Sequence, residues 1–283
     1  RFLLEEFKKT FKGLEIVNLE QEAKGIPGKK YPLSIGIREA HHEILLLTDA
    51  DCVPATENWM FHMQDRYDEG TEVVLGYGKY QKKPGLLNKL IRFETFQTAM
   101  QYLSFAAAGL PYMGVGRNLS YKRQLFLNNK GFSSINHLPG GDDDLFIHKV
   151  ANGKNTRIQV HPDSFTISEP KQSFGDWLRQ KNRHYSTGKY YSAKFKFLLG
   201  LFSLTQFLYY PALIYSGLVF GWEWTLAVFA IRLLTTGIIS YRCMYMLDEK
   251  DLWPWWWLFD VWMFAYYFIF APAIWKKPRQ SWT

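Results

Sequence analysis

Residues 43–51 read Glu43-Ile44-Leu45-Leu46-Leu47-Thr48-Asp49-Ala50-Asp51. A continuous apolar run bounded by charge is the pattern of a strand buried on both faces, as in a parallel sheet. Two carboxylates flanking a small alanine follow at once. Ligands of open α/β sheets bind beyond strand ends, so this position lifts Asp49 and Asp51 above an ordinary Asp-rich turn. Such a pair can hold Mg²⁺ or Mn²⁺, hard cations that also bind diphosphate oxygens.

The pattern extends on both sides of that stretch. Residues 15–19 read as a short strand and 29–41 as a helix, with Pro32 in its first turn. Residues 57–69 read as a helix, 72–77 as a strand and 85–108 as a long, partly apolar helix. A glycine-rich turn at 114–118 leads into an extended segment at 119–122. A helix is expected over 142–151, its first turn acidic, as the helix dipole favours. Short strands at 157–161 and 165–168 precede an aromatic, basic helix at 173–185.

The tail differs in character. Runs 197–220, 222–247 and 252–274 are each long enough to cross ~30 Å of hydrocarbon, and Trp and Tyr crowd their ends. Arg232 and Asp260 interrupt the second and third runs, a costly placement unless they are paired or snorkel to the interface. Two or three crossings are expected. Three would put Lys276-Lys277-Pro278-Arg279 opposite the N-terminal region, against the positive-inside tendency.

The 283 residues carry a formal net charge of +8. A basic balance suits nucleic acid, anionic lipid or a phosphorylated substrate. Within 171–196, Lys171, Arg179, Lys181, Arg183, Lys189, Lys194 and Lys196 face one acid, Asp176. This cluster abuts the first long apolar run, which points to a membrane surface. No nucleic-acid recognition motif accompanies the charge, so no such partner is expected. Cys52 and Cys243 show neither metal-site spacing nor a disulfide framework, in keeping with a reducing compartment. The chain opens at Arg1-Phe2-Leu3-Leu4 without an initiating Met and is expected to be a fragment.

Two further constellations carry chemistry. Asp142, Asp143 and Asp144 gather three acids at one helix start, where a carboxylate with a pKa raised by its neighbours can act as a general base. Gln180 and Arg183 lie three apart on one helix face, and the planar Arg fork suits phosphate oxygens.

Taken together, the chain resembles a membrane-associated family-2 glycosyltransferase with a GT-A fold. The matching residues are Thr48-Asp49-Ala50-Asp51-Cys52-Val53-Pro54, Gly116-Arg117-Asn118-Leu119-Ser120-Tyr121-Lys122-Arg123, Gly131-Phe132, Gly141-Asp142-Asp143-Asp144-Leu145 and Gln180-Lys181-Asn182-Arg183. The likeness covers roughly residues 14–190 and the hydrophobic tail. It implies a partial nucleotide-diphospho-sugar transferase domain of α/β class over 1–170. An amphipathic basic helix over 171–196 and transmembrane α-helices over 197–283 would follow. Asp51, with Asp49, would bind Mg²⁺ or Mn²⁺ and the donor diphosphate. Asp142 would be the base, or Asp143 if the register slips by one. Gln180 and Arg183 would meet the diphosphate, and Lys29 or Lys30 the donor. Asp144 and His184 would lie on the acceptor side. His184 stands where the family motif has Trp, which alters any stacking on the acceptor. The family's first nucleotide-binding strands would lie upstream of Arg1, so the donor site is expected to be incomplete.

The implied reaction is inverting transfer of a sugar from a nucleotide-diphosphate donor, UDP being the commonest in the family, to a lipid-linked or polysaccharide hydroxyl. The setting would be a bacterial inner membrane, multi-pass, with the catalytic domain cytoplasmic and in contact with membrane lipids. The alternatives are a processive polysaccharide synthase and a catalytically dead membrane scaffold.

Overall fold

The computed structural model describes residues 2–19 and 25–270. After an exposed N-terminal helix, α1 (Phe2–Thr10), come α2 (Lys30–Glu39), β1 (Ile44–Leu47), β2 (Cys52–Pro54), α3 (Trp59–Gln64), β3 (Val73–Leu75) and β4 (Gly78–Tyr80). The long α4 (Leu86–Ala107) leads to β5 (Leu119–Lys122), α5 (Arg123–Asn128), α6 (Asp144–Val150), β6 (Thr156–Ile158), β7 (Thr166–Ser168) and α7 (Phe174–Tyr185). The tail forms α8 (Ala193–Phe220), α9 (Trp222–Met246) and α10 (Trp256–Phe270).

Two small sheets organise the first part. One runs β1-β5-β3-β6 and the other β2-β7-β4. Val73, Val74 and Leu75 of β3 are all buried, so both faces of the central strand are covered. Ile91, Phe96 and Ala99 of α4 join the same core, and the Tyr102 hydroxyl donates to the Gly76 carbonyl at 2.6 Å. The chain passes from one sheet to the other at Gly76. A Cβ there would lie 2.5 Å from the Asn118 side chain, so only glycine admits this close approach. Asn118, fully buried, donates to the carbonyls of Tyr77 and Ser164 and accepts from the Trp59 indole, tying both sheets and α3 together.

Several expectations change here. Residues 15–19 form no strand. Val17 and Leu19 are exposed, and no neighbouring strand among the described residues completes a ladder, without which β-propensity has nothing to pack against. The apolar strand at 44–47 is present, but it pairs antiparallel with β5 (Leu45 opposite Tyr121) and is only partly buried. A continuous apolar run reports burial, not the direction of the neighbour. The segment at 72–77 is shorter than expected because Gly76 turns the chain out of the sheet. The third apolar run opens in a 3₁₀ turn, Lys250–Trp255, that contains Pro254, so its α-helix begins only at Trp256. Beyond it, α10 buries Phe259, Met263, Tyr266 and Phe270 against the rest of the chain. The positions of residues 271–283, including the basic 276–279 cluster, fall outside the described residues.

Helices α8 and α9 are the two described helices long and apolar enough to cross a membrane. Of the α8 side positions only Gly217 is buried, unlike a core helix of a soluble protein. Arg232 and Asp260 pair with each other at 2.6 and 3.1 Å. Gln206 of α8 accepts from Arg232, and Tyr210 donates to Asp260. The pair thus joins α8, α9 and α10, which is how such charges are tolerated among apolar helices.

Candidate functional site

The ends of β1, β5 and α6 converge on a cleft of about 1200 Å³. Asp49 and Asp51 occupy the link between β1 and β2 and line this cleft, as do Asp142, Asp143, Asp144, Gln180, Arg183 and His184. The sequence motifs at 49–51, 142–144 and 180–184 therefore meet in one place.

Lys29, just ahead of α2, lies 2.5 Å from Asp49 Oδ1 and 3.2 Å from Asp142 Oδ2. Burial opposes its charge, but Asp142 and Asp49 more than offset this and hold its pKa above the ordinary lysine value. The neighbouring Lys30 goes the other way. It is fully buried, donates to the Leu138 carbonyl and does not line the cleft. Burial lowers its pKa, although Asp142, Asp144 and Asp143 oppose the shift. Of the two lysines considered from sequence, Lys29 is the one in reach of the cleft.

The three acids are not equivalent. Gly141 carries φ 95°, a conformation that L side chains rarely adopt, and a Cβ there would meet Leu145 at 2.7 Å. This explains glycine at the head of the acidic run. Asp143 accepts backbone N–H bonds from Asp144 and Gly116, both at 2.8 Å, and so caps α6 and pins the glycine-rich turn. Asp144 is buried and accepts from Thr187 at 2.5 Å, Tyr191 at 3.1 Å and the Leu145 N–H at 2.8 Å. Burial, then repulsion from Asp143, raise its pKa to about 7. Asp142 has its pKa raised to about 6 by burial and by Asp143, with Lys29 acting in the opposite direction.

The opposite wall is α7. Ser173 caps it, accepting from the Asp176 N–H and donating to the Asp176 carboxylate, a reciprocal start signal. Trp177, wholly buried, packs beside Phe174 of the same helix and seats α7 against Tyr266 and Phe270. Lys181 turns inward to a buried ion pair with Glu94 of α4, and Glu94 also accepts from Tyr266 and Thr98. Gln180, Arg183 and His184 line the cleft beside this pair, which itself forms part of the wall. Gln180 donates to the Tyr80 hydroxyl at 3.2 Å, and its carbonyl oxygen is buried with no hydrogen-bond partner among the described residues.

Some lining groups were not singled out from sequence. Arg117 stacks 4.3 Å over the Tyr80 ring and donates to Ser168. It adds a second guanidinium to the lining of the cleft. The motif around it was legible, but its partner Tyr80 lies on an unanticipated strand. Lys171, Lys189 and Lys196, read as part of a lipid-facing cluster, also line the cleft. Beyond α7 the cleft continues between α8 and α10, where Phe202, Gln206, Asp260 and Met263 form its walls.

A search of the curated proteins finds no match. Among solved structures the chain is similar to mannosyltransferase PcManGT from Pyrobaculum calidifontis, described in complex with GDP-Man and Mn²⁺. The identity is 17%, with 92% of this chain and 73% of that chain covered and a TM-score of 0.51, a likeness of fold. The mixed α/β arrangement is accordingly that of a GT-A enzyme. The family model for glycosyl transferase family group 2 matches residues 47–271, from the end of β1 through the whole acidic cleft and into the tail. That match covers most of the chain and runs through every element that lines the cleft, so the chain belongs to glycosyl transferase family group 2.

Proposed function

We propose that the chain transfers a glycosyl group, with inversion, from a nucleoside-diphosphate sugar to a hydroxyl of a lipid-linked or glycan acceptor at a membrane. The observation that carries this reading is the Lys29 ammonium between Asp49 and Asp142. It brings the proposed cation-binding turn and a carboxylate of raised pKa side by side in one cleft, which supports the reading.

Asp49 and Asp51 would hold a divalent cation. Their carboxylates are hard oxygen donors suited to Mg²⁺ or Mn²⁺, and Asp49 already draws a cation, Lys29, to itself. A bound cation would supply positive charge to the donor diphosphate. In the relative, GDP-Man and Mn²⁺ are bound together, which supports this pairing.

Asp142 takes the proton from the acceptor hydroxyl as its oxygen attacks the anomeric carbon. The bond from that carbon to the diphosphate oxygen breaks, and the developing charge faces the guanidinium groups of Arg183 and Arg117. Asp143, held by two backbone N–H groups, orients the turn that carries Gly116. Asp144, tied to Thr187 and Tyr191, closes the acceptor side behind α7, and His184 faces the cleft there. Direct attack by the acceptor gives inversion.

The test is to supply the detergent-purified chain with GDP-mannose and UDP-hexoses and a glycolipid acceptor, and to follow the anomeric proton of the product by NMR. An α-linked donor should give a β-linked product. Retention of configuration, or failure to turn over any donor, would overturn the reading.

A second reading, processive synthesis, draws on the length of the cleft, which runs past α7 to Gln206 and Asp260. A ladder of product lengths from one labelled donor supports it, and a single addition counts against it. We place α8 and α9 across a bacterial inner membrane, with the cleft on the cytoplasmic side. The exposed apolar surface of α8 and the basic residues at its start support this placement.

A further inference from the structure

Away from the cleft, His62 on α3 and His161 and Asp163 at the turn before β7 bring their ligand atoms within 4.8 Å of one another. None of the three lines the cleft. The two imidazole rings are stacked, 3.9 Å between centroids and 16° between planes. His62 Nε2 lies 3.8 Å from Asp163 Oδ2.

Two features hold this group in place. Gln159, 1% exposed, donates through its amide nitrogen to the His62 carbonyl at 2.5 Å. Its amide oxygen accepts from the His161 N–H at 2.9 Å. One buried side chain therefore clamps both histidine backbones, although they are 99 residues apart in sequence (161 − 62). Pro162 opens the 3₁₀ turn Pro162–Ser164, so the spacing of His161 and Asp163 is set by a fixed φ. Thr56, between β2 and α3, donates to the Asp163 carbonyl at 3.2 Å.

We propose that His62, His161 and Asp163 form a second divalent-metal site, for borderline cations such as Zn²⁺ rather than the Mg²⁺ or Mn²⁺ of the cleft. Two imidazoles and a carboxylate are the donor set that suits Zn²⁺, Co²⁺ and Ni²⁺, whereas all-oxygen sets suit Mg²⁺ and Mn²⁺. Metal–nitrogen bonds of ~2.0–2.1 Å require the ligand atoms to approach within roughly 3.3 Å of each other. His161 is exposed and Asp163 half-buried, so both side chains must rotate toward His62 to close these gaps, His161 giving up a long 3.3 Å bond from the Asp163 N–H. Solvent completes the coordination. The metal joins α3 to the segment entering β7. β7 pairs with β2, and β2 begins immediately after Asp51, so the site braces the sheet behind the Asp-Ala-Asp turn.

The experiment uses the full chain in detergent without a polyhistidine tag and reads Co²⁺ by its visible d–d absorption. The expected result is Co²⁺ absorption abolished by Zn²⁺ but not by excess Mg²⁺, and unchanged in Asp51→Ala. His62→Ala and His161→Ala should each weaken binding by at least about tenfold, the loss that even a partner outside the ligand set produces. Zn²⁺ should also raise the melting temperature of the parent chain and not of His161→Ala. Because His161 is exposed, that variant keeps its fold, which circular dichroism verifies. Absence of Co²⁺ binding, retention of the signal in His161→Ala, or its loss in Asp51→Ala would overturn the proposal.

Discussion

Lys29 Nζ bridges Asp49 and Asp142, at 2.5 and 3.2 Å. One flexible ammonium thus connects the turn after β1 with the start of α6, and it tunes the carboxylate next to it. If Asp142 is the base, activity rises as pH increases through about 6, because only the ionised form accepts a proton. Lys29 favours that ionised form, so Lys29→Met should move the acid limb of the kcat/KM profile to higher pH. Asp142→Asn should lower turnover by roughly 10²–10⁴-fold and leave donor affinity nearly unchanged. A Lys29→Met profile with an unmoved limb would assign the limb to another group.

Chelation should stop activity, and Mg²⁺ or Mn²⁺ should restore it. Asp51→Ala should remove the response to added metal without changing the melting temperature in its absence, since Asp51 is exposed. Full turnover in chelator by a metal-free sample would count decisively against a cation at Asp49 and Asp51.

Asp144 makes stability depend on pH. Its folded pKa, about 7, lies above the ordinary value of 3.8. The folded state therefore binds the proton more tightly, and this contribution is fully present below about 3.8 and is lost as pH rises through about 7. The urea midpoint should fall across that window, and Asp144→Asn should flatten the part of the slope that Asp144 causes. Parallel slopes in the two proteins would show that another group carries the effect.

The Lys181–Glu94 pair is buried on both sides, at 10% and 3% side-chain exposure. Lys181→Met leaves Glu94 buried without its counter-charge, which costs about 3–5 kcal/mol. Adding Glu94→Gln should recover most of that loss in denaturant titrations. Because Lys181 sits between Gln180 and Arg183 on α7, the single variant should also raise the donor KM and the double variant should restore it. Equal stability of all three proteins would exclude the pair as the anchor of α7.

Alkaline carbonate should leave the protein in the membrane fraction, since α8 and α9 satisfy their own backbone hydrogen bonds and expose apolar side chains. Arg232→Ala should destabilise the membrane region by taking the guanidinium from buried Asp260, whose remaining partner among the described residues is Tyr210. Release into the soluble fraction would favour buried helices of a soluble fold.

The sequence alone determined what is local. The extended segment at 119–122 matches β5. The start of α7 at Ser173 was legible because capping and helix periodicity act within a few residues. The acidic landmarks at Asp49, Asp51 and Asp142 stood out by chemistry and order, and the long apolar runs by length. Tertiary structure decided whatever depends on partners distant along the chain. It turned β1 antiparallel, sent Lys29 toward the cleft and Lys30 into the core, and committed both Asp143 oxygens to backbone N–H groups. It also stacked Arg117 on Tyr80, paired Arg232 with Asp260 and folded α10 back onto α7. The physical reason is common to all of these. A charge or a strand edge announces that it needs a partner, but which partner it finds depends on packing between residues up to 170 or so positions apart, as with Tyr77 and Glu249.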